Sequence, residues 1–313
     1  MRRRGATATV KPAPARPLRP GMRRLLYVAA VLVLLAGFQL FVFTGRTADY
    51  FAWTIRNPLG AAFLGAGYWA SAAFEALAAR QRIWANARIA VPTVLVFTVL
   101  TLVATLLNLG QFHLGGQFAI GTRAVTWAWI AIYAVVPLLM VIILAAQLRT
   151  PGGDPPRSAP LPGWVCGLLA GQAAVLLGLG VALFAAPGPA ASWWPWPLTP
   201  LLAQATGAWL IGFGVAAAHE VAERDARRLL PASVSSVLLA GLQFIALARY
   251  PDRFEWSSAA GVIYLAFLVV MLVTGGAALA RAAGRVRRQR ERRRGPGCPG
   301  RRGGRDRRRR PPR

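Results

Sequence analysis

The chain has 313 residues, of which 56% are hydrophobic and only 15% charged, and its mean hydropathy is +0.45. A soluble protein needs more surface charge than this, so the composition excludes an ordinary water-soluble fold and indicates that lipid surrounds most of the chain. The formal net charge of +27 comes almost wholly from arginine, and the two cysteines, Cys166 and Cys298, imply no disulfide framework.

Residues 1–24 form a basic, proline-rich tail that cannot bury enough apolar surface to fold alone, and we expect it to be disordered. The apolar run from Leu25 to Phe43 follows. A basic start and an apolar run are also typical of a signal peptide, but this run is long for one and no small-residue cleavage site follows it. We interpret it as an uncleaved first membrane helix.

Seven further apolar runs have the length of about 20 residues that crosses a hydrocarbon core. They are continuously apolar rather than alternating, which predicts helices rather than a barrel, because a helix satisfies its own backbone hydrogen bonds in lipid. The predicted fold class is therefore an all-α, polytopic membrane protein with eight transmembrane helices. The seven runs are Pro58 to Ala79, Ile89 to Leu107, Val125 to Leu148, Gly163 to Ala186, Leu198 to Ala218, Leu229 to Ala248 and Ser258 to Ala280.

The placement of arginine and lysine predicts which side of the membrane each loop occupies, because positive charge resists translocation. With the N-terminus inside, the internal loops on the inner side carry eight basic residues and the outer loops carry five. Both basic tails then also lie inside. We therefore expect a bacterial inner-membrane protein that crosses the membrane several times and has both termini in the cytoplasm.

The second half of the chain repeats features of the first half at a shift of 142 residues. The repeat predicts two four-helix units, residues 25–148 and 163–280, joined by a cytoplasmic linker at 149–162. Four helices per unit is an even number, so the two units enter the membrane in the same direction. The matches are Pro58-Leu59 with Pro200-Leu201, Gly65-Ala66 with Gly207-Ala208, Arg82 with Arg224, Phe112 with Phe254 and, after an 11-residue allowance in one outer loop, Tyr133 with Tyr264.

Residues 281–313 form an arginine-rich tail that we expect to be disordered and cytoplasmic. Such a tail is typical of a solvated segment that fixes the orientation of the last helix, and it can bind anionic lipids of the inner leaflet. Binding to nucleic acid is disfavoured because no stacking aromatic residues are interleaved with the arginines.

A polar face on the third predicted helix is the first candidate site. Thr98, Thr101, Thr105 and Asn108 recur at spacings of 3, 4 and 3 residues, which places them on one helix face, and Gln243 overlays Thr101 in the second half. One interpretation is hydrogen bonding between helices in lipid. The other is a polar lining between the two repeats, as in a carrier.

Glu75 is the one acidic residue inside a predicted span. An ionisable side chain is costly in lipid and usually points toward a partner or water. Arg80 and Arg82 follow closely enough to neutralise it in part. The sequence leaves open whether this carboxylate is interfacial or functional.

A third candidate lies in the loops predicted to be outside. Tryptophan and tyrosine at the ends of spans are typical of an interfacial aromatic belt, and the competing interpretation of this loop cluster is a cleft that recognises a polar head group. The cluster comprises Asp49, Trp53, Arg56, Arg249, Asp252 and Arg253.

No catalytic, metal-binding or cofactor-binding motif emerges from the sequence. His113 and His219 close helices on opposite sides of the membrane, so they cannot share a metal ion. We therefore expect no cofactor and no enzymatic activity. The favoured function is a non-catalytic protein that binds lipids or partner proteins; the alternative is a carrier of a small molecule or lipid, and an intramembrane enzyme is the least favoured class.

Three phrases of the sequence resemble multi-pass membrane proteins of high-G+C bacteria, a group with no assigned activity. The resemblance covers residues 25–280 and implies the membrane architecture without assigning a role to any residue. The phrases are Ala48-Asp49-Tyr50-Phe51-Ala52-Trp53, Gly65-Ala66-Gly67-Tyr68-Trp69 and Trp194-Pro195-Trp196-Pro197-Leu198-Thr199-Pro200-Leu201.

Overall fold

The computed structural model describes residues 14–294 and, over that range, is all-helical, which confirms that the predicted fold is all-α. Short helical turns in the connections join eight long helices. The long helices are α1 Pro20–Val42, α2 Pro58–Ala79, α3 Ala90–Leu107, α4 Ile120–Leu148, α5 Gly163–Ala185, α6 Pro200–Glu223, α7 Leu230–Arg249 and α8 Ala259–Arg294.

Seven of these helices are long and apolar enough to cross a membrane, so the chain is a multi-pass membrane protein. The remaining predicted span, α2, is long enough to cross a membrane but is not among the seven. Its sequence includes Tyr68, Trp69, Ser71 and Glu75, which lower its hydropathy. Most of its 22 residues are buried against other helices, so α2 needs little lipid-compatible surface.

α2 and α6 lie at the centre of the helix bundle. α1 packs along α2, and α5 packs along α6 in the same way. α2 also packs against α7, α6 packs against α3, and α2 and α6 contact each other. α4 and α8 lie outside, against α3 and α7 respectively. The buried share of the apolar segment is accordingly 72% for α6 and 22% for α4.

The two central helices begin in similar ways. Pro58 and Pro200 each occupy the first turn, where the missing backbone N–H costs nothing. The side chain of Asn57 accepts a hydrogen bond from the N–H of Leu59, and the Thr199 hydroxyl accepts one from the N–H of Leu202. These caps fix where α2 and α6 start.

Glycines allow the backbones of the central helices to come into contact with the backbones of their neighbours. A Cβ atom added to Gly65 of α2 would lie 2.6 Å from the backbone nitrogen of Phe41 in α1. A Cβ on Gly207 of α6 would lie 2.7 Å from the carbonyl oxygen of Gly180 in α5. Small residues at such contacts are how helices pack closely in lipid.

The connections divide between the two ends of the bundle. We call the first the basic end; it contains residues 14–19, 80–89, 149–162 and 224–229, joined by backbone hydrogen bonds such as Leu18 N–H to Arg82 O and Leu161 N–H to Arg224 O. The second is the aromatic end; it contains residues 43–57, 108–119, 186–199 and 250–258, joined by bonds such as His113 N–H to Ala52 O and Glu255 N–H to Pro195 O. Successive long helices therefore run in alternate directions.

Several helix bounds differ from the predicted ones. Residues 14–19 are extended and hydrogen-bonded, and α1 begins at Pro20, five residues before the predicted start at Leu25. α8 continues to Arg294, beyond the predicted end at Ala280. Arginine and alanine favour helix, so polar sequence can extend a helix past the apolar run. The remaining parts of both tails, with Cys298, lie outside the described residues.

We expect Gly65→Ala to lower stability by about 1–3 kcal/mol, because the added methyl group meets backbone atoms of α1 that cannot move aside. Gly171→Ala in α5 is the matched control, since a Cβ there meets nothing within 4 Å. It should leave stability unchanged or slightly raise it. Thermal unfolding of the purified protein in detergent measures both, and equal midpoints for the two variants would contradict the close contact.

Candidate functional site

The predicted polar face of α3 is mostly engaged in hydrogen bonds. The hydroxyls of Thr98 and Thr105 donate to backbone carbonyls of the preceding turn of α3. Thr105 also accepts a hydrogen bond from the indole N–H of Trp129 in α4, at 3.1 Å. These contacts join α3 to α4.

Asn108 joins α3 to α6 at the aromatic end. Its side-chain N–H₂ group donates to the Gln204 side-chain oxygen at 2.6 Å and to the backbone carbonyl one turn earlier. A polar bond of this kind between helices is worth about 1 kcal/mol in lipid. Asn108 thus contributes to helix contact.

Thr101 and Gln243 differ from the other residues of the predicted lining. The Gln243 side-chain N–H₂ donates to the carbonyl of Phe63 in α2 at 3.2 Å. The Thr101 hydroxyl and the Gln243 side-chain oxygen are buried and have no hydrogen-bond partner within residues 14–294. Such groups are rare in proteins, because burial without a partner is unfavourable.

Glu75 is fully buried in α2. Its Oε1 accepts a hydrogen bond from the Ser71 hydroxyl at 2.9 Å, and its Oε2 has no partner in the described part of the chain. Arg80 and Arg82, which the sequence suggested as neutralising partners, are exposed and form no ion pair with it in that part. Both follow the end of α2, where their side chains reach solvent.

The predicted outer-face residues lie at the aromatic end but do not form one cluster. Trp53 is buried, with its ring 5.3 Å from that of Phe112 and 5.1 Å from that of Trp129. It belongs to the packed core of that end and is not available to a head group.

The other five outer-face residues are spread over this end, and within the described range none of them hydrogen-bonds to another of the five. Asp49 pairs with Arg46 at 3.2 Å, and both are exposed. Arg249 donates to the carbonyl of Phe41 and lies over that ring, which joins α7 to α1. Arg56, Asp252 and Arg253 are exposed.

A network of ion pairs joins three connections at the basic end. Arg88 contacts Glu223, and its guanidinium lies 2.6 Å from Asp154. Arg228 lies 2.7 Å from Glu223 and 3.8 Å from Asp154. Burial by itself would lower the pKa of Arg88, but the hydrogen bonds and charges of the two carboxylates raise it. The linker between the two halves is thus held by charge to the loop before α3 and to the end of α6.

Asp225 fastens the same linker through backbone groups. Its Oδ2 accepts hydrogen bonds from the N–H groups of Ser158 and Ala159, at 2.5 and 2.7 Å. Burial alone would raise the pKa of Asp225, but these bonds and those from Arg227 and Arg228 lower it. The resulting stabilisation is present at neutral pH and is lost only as the pH falls through the lowered pKa.

A groove opens at the basic end between the start of α5 and the end of α8. We call it the arginine groove. Arg281 and Arg285 of α8 are exposed on one wall, and Trp164 of α5, 54% exposed, lies on the other. The Arg281 side chain also donates to the carbonyl of Pro160 at 3.4 Å. Two cations and an indole therefore face one space.

An apolar cavity of about 110 Å³ lies in the second half, among α5, α6, α7 and α8. We call it the α5–α8 cavity. Its walls are aliphatic and aromatic, and the residues with polar side-chain groups that line it are Gln243, Tyr264, Trp194 and, at the exposed rim, Trp193. The Gln243 side-chain oxygen, the Tyr264 hydroxyl and the Trp194 indole N–H are all buried and lack partners among residues 14–294.

A smaller cavity of about 30 Å³ continues toward the basic end. It shares Leu176, Phe213 and Leu239 with the α5–α8 cavity and reaches Glu220 of α6. The sequence missed Glu220 as a buried carboxylate because the predicted span ended at Ala218, whereas α6 continues to Glu223.

Comparisons with known protein families, curated proteins and solved structures found no match. Residues 14–294 contain no group of three or more histidine, cysteine, aspartate or glutamate side chains placed to hold a metal ion.

Glu223→Gln should destabilise the protein by roughly 3 kcal/mol, because it leaves the buried Arg228 without its nearest opposite charge. The matched control is Glu255→Gln at the aromatic end, where the carboxylate is exposed and forms no ion pair with the described residues. That control should change stability by no more than about 0.5 kcal/mol. Denaturant unfolding in detergent gives both values, and an unchanged Glu223→Gln variant would show that the network contributes little.

Proposed function

We propose that the protein crosses the membrane eight times as two parallel four-helix repeats. The pairing of helices supports this, since the most extensive contacts of one half have counterparts in the other. α1 packs with α2 as α5 does with α6, α3 with α4 as α7 does with α8, and α2 with α7 as α6 does with α3. Gly65 and Gly207, which match at the shift of 142 residues, both make backbone-distance contacts. In this arrangement α2 spans the membrane and is surrounded by other helices of the bundle.

The basic end faces the cytoplasm in this proposal, and both termini lie on that side. An epitope tag inserted at Gly152 should be accessible only from the cytoplasm, and a tag at Pro187 only from outside. Gly152 belongs to the linker at the basic end and Pro187 to the aromatic end. Protection of the two tags on intact and opened cells measures this. Both tags on one side would contradict the span count.

We propose that the protein acts without catalysis, through binding to anionic lipid. The observation that carries the proposal is the arginine groove, where Arg281 and Arg285 face Trp164 at the basic end. Tryptophan favours the level of the lipid head groups, and cations near the inner surface attract anionic lipids. The sequence from 287 to 313 adds further arginines to the same terminus.

Several exposed arginines of the basic end, such as Arg80 and Arg82, form no ion pair with a described residue, but Arg281 and Arg285 are the two that line the groove beside Trp164. Arg88 and Arg228 are paired with carboxylates of the protein, which neutralises them locally. Arg281 and Arg285 form no ion pair with a described residue. Their charge is therefore available to a lipid phosphate.

The double variant Arg281→Gln, Arg285→Gln should bind phosphatidylglycerol about tenfold more weakly or worse, since each arginine near the surface contributes about 1 kcal/mol. The measurement is the rise in melting temperature of the full-length protein when phosphatidylglycerol is added in neutral detergent. The variant should lose most of the rise seen with the wild type.

The control Arg56→Gln, Arg253→Gln removes the same charge from exposed positions at the aromatic end and should behave as wild type. Phosphatidylcholine, which is neutral overall, should stabilise all three proteins alike. If all three respond equally to phosphatidylglycerol, the groove is not the lipid site.

A carrier is the second candidate function. It is favoured by Thr101 and Gln243, whose buried oxygens lack partners in the described chain and which lie at matched positions of the two halves. Thr101→Leu should abolish the function of a carrier while the protein still folds, whereas a lipid-binding protein should tolerate it. Complementation of a deletion strain, together with the melting temperature of the variant, separates these outcomes.

A further inference from the structure

The α5–α8 cavity combines apolar walls with a small set of unsatisfied polar groups. Its polar groups are one acceptor, the Gln243 side-chain oxygen; one donor, the Trp194 indole N–H; and the Tyr264 hydroxyl, which can both donate and accept. The Gln243 N–H₂ is already used by the Phe63 carbonyl, so its oxygen is the free group. Burial of three such atoms without partners is unfavourable by at least 1 kcal/mol each. A bound molecule that pairs with them recovers this energy.

In the first half, the tyrosine that matches Tyr264 has a partner within the protein. There the hydroxyl of Tyr133 is hydrogen-bonded to that of Tyr68 at 2.8 Å. At the shift of 142 residues, Tyr68 corresponds to Leu210, which lines the cavity and has no hydroxyl to offer Tyr264. The second half therefore has space and a free tyrosine where the first half has a satisfied tyrosine pair. The cavity and the unpaired Tyr264 hydroxyl stand independently of the proposed repeat, and so does the binding of a probe to them.

We infer that the α5–α8 cavity binds a neutral, apolar molecule that carries one hydroxyl group. A hydroxyl can donate to the Gln243 oxygen and accept from Trp194 or Tyr264, so one group on the ligand can supply both a donor and an acceptor to the cavity. A cavity of about 110 Å³ is of the same order as the roughly 150 Å³ cavity known to hold benzene, so a molecule with a single small ring is of a suitable size.

The ligand enters from the membrane. The rim of the cavity includes Val175 of α5 and Ile263 of α8, whose side chains are 49% and 64% exposed on the surface that faces lipid. Trp193, 62% exposed, lies at the aromatic end of the same rim. A molecule dissolved in the bilayer therefore reaches the cavity between α5 and α8 without passing through water.

Other occupants fit the cavity less well. An acyl chain would cover the apolar walls but give the three polar atoms no partner. Water would satisfy those atoms but leave the walls of Leu176, Phe213 and Met271 hydrated, which is unfavourable. A charged molecule would be buried without a counter-charge, because among the described residues no acid or base other than Tyr264 lines this cavity.

The test uses 4-fluorophenol and 4-fluorotoluene as probes with the full-length protein in detergent. Fluorine relaxation gives the affinity of each probe, and 4-fluorotoluene is the matched probe that lacks the hydroxyl. Wild type should bind 4-fluorophenol more tightly. Tyr264→Phe should weaken 4-fluorophenol roughly fivefold, the equivalent of one hydrogen bond, and leave 4-fluorotoluene unchanged.

Leu210→Tyr should remove binding of both probes, because the new ring fills the cavity and its hydroxyl pairs with Tyr264 as Tyr68 pairs with Tyr133. It also supplies the background of probe dissolved in the micelle. Tyr133→Phe, the matched change away from the cavity, should leave the affinity of both probes unaltered.

The proposal is overturned if the fluorine relaxation of both probes is the same with wild type as with Leu210→Tyr, which would mean that no probe enters the cavity. It is also overturned if both probes bind wild type with the same affinity and Tyr264→Phe has no effect. Because Tyr264→Phe removes a single oxygen, it keeps the test decisive if Leu210→Tyr fails to fold. Neither result bears on lipid binding at the arginine groove, which is measured with a different ligand at the other end.

Discussion

The arrangement of the other helices depends on the close contacts of α1 with α2 and of α5 with α6. Lipid tails are as apolar as leucine side chains, so helices in a membrane gain little from hiding apolar surface and depend on tight packing. Gly65 and Gly207 bring the backbones together, and the gain is the sum of many small dispersion contacts. With α2 and α6 held at the centre, the remaining helices have defined faces to pack against.

The buried polar groups follow from this packing. Where two helices lie close, as α3 does to α4 and α6, threonine and asparagine side chains find carbonyl, indole or amide partners across or along the helices. Where the packing leaves space, as among α5 to α8, the same kinds of group stay unpaired. The Tyr133 hydroxyl is paired with that of Tyr68, whereas Leu210, which lines the cavity together with Tyr264, has no hydroxyl to offer.

Charge is distributed by a different rule. The basic end combines arginines paired with Glu223 and Asp154, which hold the linker against the helix ends, with exposed arginines at the groove. Paired charges contribute to structure because removing one partner leaves the other buried and uncompensated. Exposed charges near the inner surface of a membrane in general favour orientation and lipid attraction, which is the basis of the proposed lipid site. The basic end thus carries arginines of both kinds, paired and exposed.

The sequence by itself determined the helices and their approximate bounds, because the length of an apolar run is set by the thickness of the bilayer. It also identified Glu75, Thr101 and Gln243 as unusual positions, since polar groups are rare in such runs. It did not show that α2, the least apolar of the predicted spans, lies at the centre of the bundle, where other helices cover it. Nor did it show that Trp53 is buried against Phe112 and Trp129. Only the tertiary structure decided which polar groups are paired, because hydrogen bonds and cavities depend on side chains from helices far apart in the sequence.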